Sequence, residues 1–255
     1  MSAPDAFLPF LEPQWPRDGV RACMTLRAGG TSLPPYDSMN LGTAVDDASH
    51  AVQANRERLE AAIGAEPRYL RQVHGARVVR LGPHADAEPP QADASFTTEP
   101  GVACTVLAAD CLPVLLAAPG RRGVAAAHVG WRGLCGGVVE AALQALCDAS
   151  GCRPSEVRAW LGACIGPRDF QVGEDVLRAF GGEPGRHHDR FQQDDSEDGR
   201  WLADLPGLAR DRLVAAGVTQ VDGGSWSTVA DAARFFSYRR DRITGRMAAC
   251  IWIER

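Results

Sequence analysis

Apolar residues fall into short runs divided by glycine- and proline-bearing polar stretches, a pattern of strands alternating with helices. Val20 to Leu26 reads as a strand ending in the turn Arg27-Ala28-Gly29-Gly30-Thr31-Ser32, where glycine admits positive φ. Asp47 to Ile63 reads as a helix, with Val52, Leu59 and Ile63 at helical spacing and Gly64 as its stop. Tyr69 to Val73 and Arg77 to Leu81 read as strands flanking His74-Gly75, which puts His74 on a turn, and Pro83 to Gln91 is a polar connection. Strands are predicted at Ala103 to Ala108, Val114 to Ala117 and Gly123 to His128, the last rich in small residues and buried on both faces. A helix over Gly137 to Ala149 carries Val138, Ala141, Ala142, Ala145 and Leu146 on its apolar face. His187 to Gly199 is a polar, exposed excursion, Leu205 to Ala216 a helix closed by Gly217, and Met247 to Ile253 a final apolar strand. The pattern is α/β (α+β) with no repeat or clean linker. It predicts a single domain over 20–255 behind an N-terminal extension, 1–19.

Composition narrows the function. With 255 residues and 45% hydrophobic content the chain can bury one large core. The 27 basic residues are all arginine, so lysine Schiff-base chemistry and the Walker phosphate loop are excluded. A net charge of -5 argues against nucleic acid as a partner. Eight cysteines form no Cys-x-x-Cys pair, and Met1 to Ala6 lacks the charged and apolar regions of a signal peptide, which together point to the reduced cytoplasm. The one membrane candidate, Val102 to Ala118, is broken by Asp110 and Pro113 and reads as two buried segments around a polar turn, so no membrane partner is expected.

Three residues stand out where apolar runs meet Gly- or Pro-containing turns: His74, Cys111 and His128. Singly, each has an ordinary explanation, a turn histidine or a core thiol. Grouped, two imidazoles and a thiol give a metal three ligands and leave a fourth position open, as in a catalytic zinc site. The other histidines, His50, His84, His187 and His188, lie in polar stretches. The run Gly130-Trp131-Arg132-Gly133-Leu134-Cys135-Gly136-Gly137 either presents backbone N–H groups and Arg132 to an anion or simply permits tight strand-to-helix packing. Arg239 and Arg240 are either anion ligands or solvated charges.

The chain closely resembles the YfiH/laccase-domain family, whose members have been called multicopper polyphenol oxidase, peptidoglycan editing factor and purine nucleoside phosphorylase. The resemblance runs from about Val20 to the C-terminus. It is carried by Arg27-x-Gly29-Gly30-x-Ser32, Ser38-Met39-Asn40-Leu41-Gly42, Asn55-Arg56, Gln72-Val73-His74-Gly75, Ala92-Asp93-Ala94, Ala109-Asp110-Cys111-Leu112-Pro113 and His128-x-Gly130-Trp131-Arg132-Gly133. Leu161-Gly162-x-x-Ile165-Gly166-Pro167, Phe170-x-Val172-Gly173, Phe235-Phe236-Ser237-Tyr238-Arg239-Arg240 and Thr244-Gly245-Arg246 extend it. The resemblance implies a four-layer α-β-β-α architecture with mixed sheets, a monomer, and zinc held by His74, Cys111 and His128. It also implies phosphorolysis of adenosine, inosine and methylthioadenosine with adenosine deamination as a side activity. Ser227-Thr228 departs from a frequent Cys-Thr.

Donor chemistry separates the family's names. Six histidines without a His-x-His pair cannot furnish several copper sites, so zinc is favoured over copper. The His-x-Glu and Pro-Cys-x-x-Cys signature of zinc nucleobase deaminases is absent, so deamination would use another constellation. For a nucleoside and phosphate as partners, Arg132 is the expected anion ligand, helped by Arg27 and Arg240. Asn40 and Gln72 are offered to sugar or base, and Asp110 to orienting the ligands or accepting a proton. Two alternatives stay open: hydrolytic editing of peptidoglycan precursors with Cys111 as nucleophile, and a non-catalytic metal-binding module.

Overall fold

The structure, a computed structural model, describes residues 8–16, 18–85 and 87–255, so the segment Met1 to Ala6 discussed above lies outside the described residues. Two sheets stack face to face. In spatial order the first holds β1 (Phe10–Leu11), β2 (Val20–Thr25), β14 (Met247–Ile253), β6 (Val102–Ala108) and β3 (Glu66–Arg68). The second holds β13 (Gln220–Gly223), β9 (Arg158–Leu161), β7 (Leu112–Ala117), β8 (Val124–Val129), β5 (Ala94–Thr97) and β4 (Val78–Arg80). Both mix parallel and antiparallel pairs. A small antiparallel sheet of β10 (Gln171–Gly173), β12 (Arg200–Ala203) and β11 (Phe191–Gln193) stands apart.

Side-chain alternation shows how the layers form. Along β14, Met247, Ala249, Ile251 and Ile253 join the core shared by the two sheets, while Ala248, Cys250 and Trp252 join Leu59 and Ile63 of α1 (Ser49–Ile63) on the other side. Along β7, Leu115 and Ala117 face the inter-sheet core, and Leu112, Val114 and Leu116 share the other core with α3 (Val138–Ser150), α4 (Glu174–Ala179) and α5 (Leu205–Ala215). The order is therefore helix, sheet, sheet, helix, a mixed α/β single domain. Among the described residues no helix is long and apolar enough to cross a membrane.

Most expected elements recur within a residue or two, and four differ. Tyr69 to Val73 is no strand: Gln72 bonds the backbone of Leu107 through both amide atoms, and the N–H of Val73 goes to the Asp93 carboxylate, leaving one bridge, Arg71 to Gln91. The Gly130 to Gly137 loop is interrupted by a short helix, α2 (Trp131–Cys135), before α3 begins at Val138. The polar 187–199 excursion is exposed yet paired, because Phe191 is buried and β11 joins β12. On α3, Val139, Leu143 and Cys147 are buried while Ala141 and Ala145 are half-buried, since the helix also packs against α5. Of the described residues ahead of Val20, Phe10 and Leu11 form β1 against β2, and Leu11 and Trp15 pack on the inter-sheet core.

Candidate metal centre

The chain leaves the first sheet at the end of β6 and enters the second at β7, crossing through Ala109-Asp110-Cys111. Asp110 makes the crossover at φ 104, a region L-residues rarely adopt. Its carboxylate accepts from Thr228 Oγ1 and from the Arg239 backbone N–H, both at 2.6 Å, and its backbone carbonyl accepts from Ile165 at 2.9 Å. Cys111 is thereby delivered to the mouth of β7. His128 is the penultimate residue of β8, in register with Pro113. Val124 and Ala126 point into the inter-sheet core, and alternation sends His128 to the same face.

His74 comes from a turn rather than a strand, at φ 61, a backbone state that costs about 1–3 kcal/mol for a non-glycine residue. The buried carboxylate of Asp93 offsets that cost by accepting the backbone N–H of Val73 at 3.1 Å, His74 at 2.8 Å and Gly75 at 2.7 Å. It also accepts from His128 Nδ1 at 2.9 Å, which leaves Nε2 of that ring as its ligand atom. Glycines allow the approach. A Cβ on Gly130 would lie 3.0 Å from His74 Cδ2 and 3.2 Å from Cys111 Sγ, and one on Gly133 would lie 2.9 Å from the Gly75 carbonyl oxygen.

The three ligand atoms lie within 4.8 Å of one another, with Cys111 Sγ 3.7 Å from His74 Nε2. Tetrahedral zinc, with bonds of about 2.0–2.3 Å, sets N and S ligands about 3.6 Å apart, so the donor set and its spacing fit such an ion. Burial pushes the Cys111 thiol up, but His128 and His74 beside it reverse the sign and bring it down to about 6. Burial likewise pushes the His128 imidazole down, and Cys111 and Asp93 outweigh it, raising it to about 9. Left to themselves the side chains form a thiolate beside an imidazolium.

The trio lines a cavity of about 780 Å³, with Leu107 and Ala108 of β6, Trp131, Arg132, Ile165, Phe170, Tyr238, Arg239 and Arg246. That volume suits a small ligand. Arg132 is exposed there, its guanidinium 4.4 Å over the Trp131 ring. Arg246 is half-buried, and burial lowers its pKa from the usual guanidinium value. Gln72 lines the cavity, with its amide bonded to Leu107. The other expected substrate ligands do not line it. Arg27 donates to the Asp37 and Ala232 carbonyls and lies over Phe236, and Arg240 donates to the Thr228, Val229 and Phe235 carbonyls and to Asp241. Asn40, fully buried, ties Gly42, Asp47 and Arg246 together. Asp110 holds the crossover, whereas the carboxylate that bonds a ligand ring is that of Asp93. Ser227 donates to Asp169, outside the trio. Residue-type reasoning did not give Asp93 this role. The available signal was an acid directly before a strand that pairs with the strand of His128.

The family described as multi-copper polyphenol oxidoreductase laccase matches residues 21–254. A Pseudomonas aeruginosa purine nucleoside phosphorylase is 46% identical over 96% of this chain and 98% of its own, and the Escherichia coli purine nucleoside phosphorylase YfiH is 46% identical over 94% and 97%. Among solved structures, a Neisseria meningitidis protein is 42% identical with a TM-score of 0.86 over 96% of this chain and 99% of its own. The Bacillus licheniformis protein YfiH is 28% identical with a TM-score of 0.88 over 98% of both chains.

Proposed function

Since the chain belongs to the multi-copper polyphenol oxidoreductase laccase family, we propose that it is a purine nucleoside phosphorylase, the activity its relatives' names describe, and that it works with zinc. Its substrates on this reading are adenosine, inosine and methylthioadenosine, with adenosine deamination as a side activity. The observation that carries it is the His74, Cys111 and His128 trio lining one cavity of about 780 Å³ with the exposed guanidinium of Arg132. Six histidines and a single three-ligand cluster among the described residues favour one zinc over several coppers. The enzyme on this reading works as a cytoplasmic monomer without membrane or nucleic-acid partners.

A metal ion held by His74, Cys111 and His128 would supply Lewis acidity in the cavity. The protein's own groups do the rest. In phosphorolysis the bond between the ribose anomeric carbon and the purine nitrogen breaks, an oxygen of hydrogen phosphate bonds to that carbon, and the purine leaves with the proton that the hydrogen phosphate gives up. The ribose acquires oxocarbenium character on the way, which a phosphate held against it stabilises. Arg132 grips the phosphate through its planar fork, and Arg246 adds positive charge from the cavity wall. The half-exposed ring of Tyr238 offers the purine an apolar face.

Incubating the zinc-loaded protein with adenosine, with and without phosphate, tests the reading by product mass. Adenine and ribose 1-phosphate formed only with phosphate are expected. Arg132→Lys, which keeps the charge and loses the fork, should lower that activity severalfold at unchanged zinc content. A second reading rests on the 3.7 Å approach of Cys111 Sγ to His74 Nε2, which would make Cys111 the nucleophile of a hydrolase editing peptidoglycan precursors. Nucleoside cleavage indifferent to phosphate would move that reading ahead.

A further inference from the structure

We propose that Asp93 is a positioning residue that makes ligands of His74 and His128 together, so that two of the three metal ligands depend on one carboxylate. The inference rests on the metal-binding reading of the trio. Asp93 directly precedes β5, fully buried, and its backbone carbonyl accepts the His128 N–H at 2.7 Å. Its side chain continues the same connection. Oδ1 takes the His74 N–H at 2.8 Å and His128 Nδ1 at 2.9 Å, and Oδ2 takes the Gly75 N–H at 2.7 Å. The Val73 N–H lies between them, 3.2 Å from Oδ1 and 3.1 Å from Oδ2. Each of these donors belongs to a ligand or to a residue adjoining one. Among the described residues no arginine pairs with this carboxylate, and His128 is the one ionisable side chain it meets. A carboxylate that merely stabilised the fold would be expected to pair with groups remote from the trio, as Asp47 does with Ser32 and Asn40.

The chemistry of the contact is directional. A carboxylate presents acceptors only, and the four groups it meets are all donors. Asp93→Asn keeps the shape and replaces one oxygen with an NH2. Turned one way, that NH2 faces the Gly75 N–H; turned the other, it faces the His74 N–H and His128 Nδ1. In the second case Nδ1 must become the acceptor, which moves the ring proton to Nε2 and removes that nitrogen as a ligand. In the first, the turn that carries His74 loses an anchor.

Zinc titration of the metal-stripped protein against a chromophoric chelator tests this. For Asp93→Asn the zinc dissociation constant is expected to rise about 10–100-fold with an unchanged far-UV circular dichroism spectrum. Asp47→Asn, which weakens a comparable carboxylate network that touches none of the three ligands, should leave the constant unchanged. Should Asp93→Asn fail to fold, Asp93→Glu takes its place with the same loss expected, because the added methylene moves the carboxylate off its donors. In the unaltered metal-stripped protein the amides of Val73, His74 and Gly75 are expected to exchange slowly with solvent, and fast exchange at all three overturns the inference. A parent protein that takes up no zinc overturns the metal reading and this inference with it. A parent that binds zinc, with an Asp93 variant that binds it equally well, overturns this inference alone.

Discussion

Cys111 lies between two imidazoles, and their pull on its thiol has a direct readout. In protein stripped of metal, carbamidomethylation of Cys111 should rise with pH through about 6 and level off above it. A lowered thiol pKa means that the thiolate is already the majority form at neutral pH, so a midpoint near 9, the ordinary thiol value, would contradict the geometry. Fragment-ion mass spectrometry of the tryptic peptide Leu81 to Arg121, which carries both thiols, resolves Cys111 from the buried Cys104, whose thiol is pushed up to about 12 by burial. The contrast extends to substitution: Cys111→Ala should remove bound zinc and turnover, while Cys147→Ala, on the packed face of α3, should leave both in place. Metal analysis and the phosphorolysis assay check the pair. The trio was legible in the sequence because each member sits where an apolar run meets a turn. Asp93 was not, because its four donors reach it from segments that only the fold brings close. Arg27 and Arg240 illustrate a different gap, since a guanidinium suits a phosphate and a row of backbone carbonyls equally well.

Elements with strong local stop signals were read closely. α1 ends at Gly64, which takes φ 66 and donates its N–H to the Glu60 carbonyl, the left-handed cap that glycine accommodates. A Cβ there meets nothing within 4 Å, so Gly64→Ala should cost only the conformational term, about 1 kcal/mol in chemical denaturation, with zinc affinity unchanged. Gly133→Ala on α2 should do the opposite. Its Cβ would press on the Gly75 carbonyl oxygen, and the turn bearing His74 must give way, so zinc affinity should fall at least tenfold while the fold survives. Equal zinc affinities for the two variants would show that α2 does not support the turn. Tyr69 to Val73 was misread because its apolar ends suggest a strand, while the Val73 N–H goes to the Asp93 carboxylate and the Gln72 amide, rather than a ladder of backbone bonds, ties the segment to Leu107 in β6.

At the scale of the molecule the α/β character followed from the spacing of apolar runs, and the four-layer order came from the family resemblance. The partnering of strands did not, because a run buried on both faces carries no record of its neighbours. β6 and β7 adjoin in sequence and lie in different sheets, so the cavity forms where one sheet hands the chain to the other. β14 sits between β2 and β6, with Cys250 opposite Cys23 on one side and Thr105 on the other. All three candidate metal ligands, His74, Cys111 and His128, thus leave the ribosome well before the strand that completes the first sheet. Until Met247 to Ile253 is translated, β6 lacks its antiparallel neighbour and the inter-sheet core lacks four of its apolar side chains. Chains stalled before Met247 should remain protease-sensitive and acquire no zinc, whereas chains stalled with β14 clear of the exit tunnel should become protease-resistant and acquire zinc in a single step. Metal loading then becomes a late event in biosynthesis, timed by the C-terminal strand.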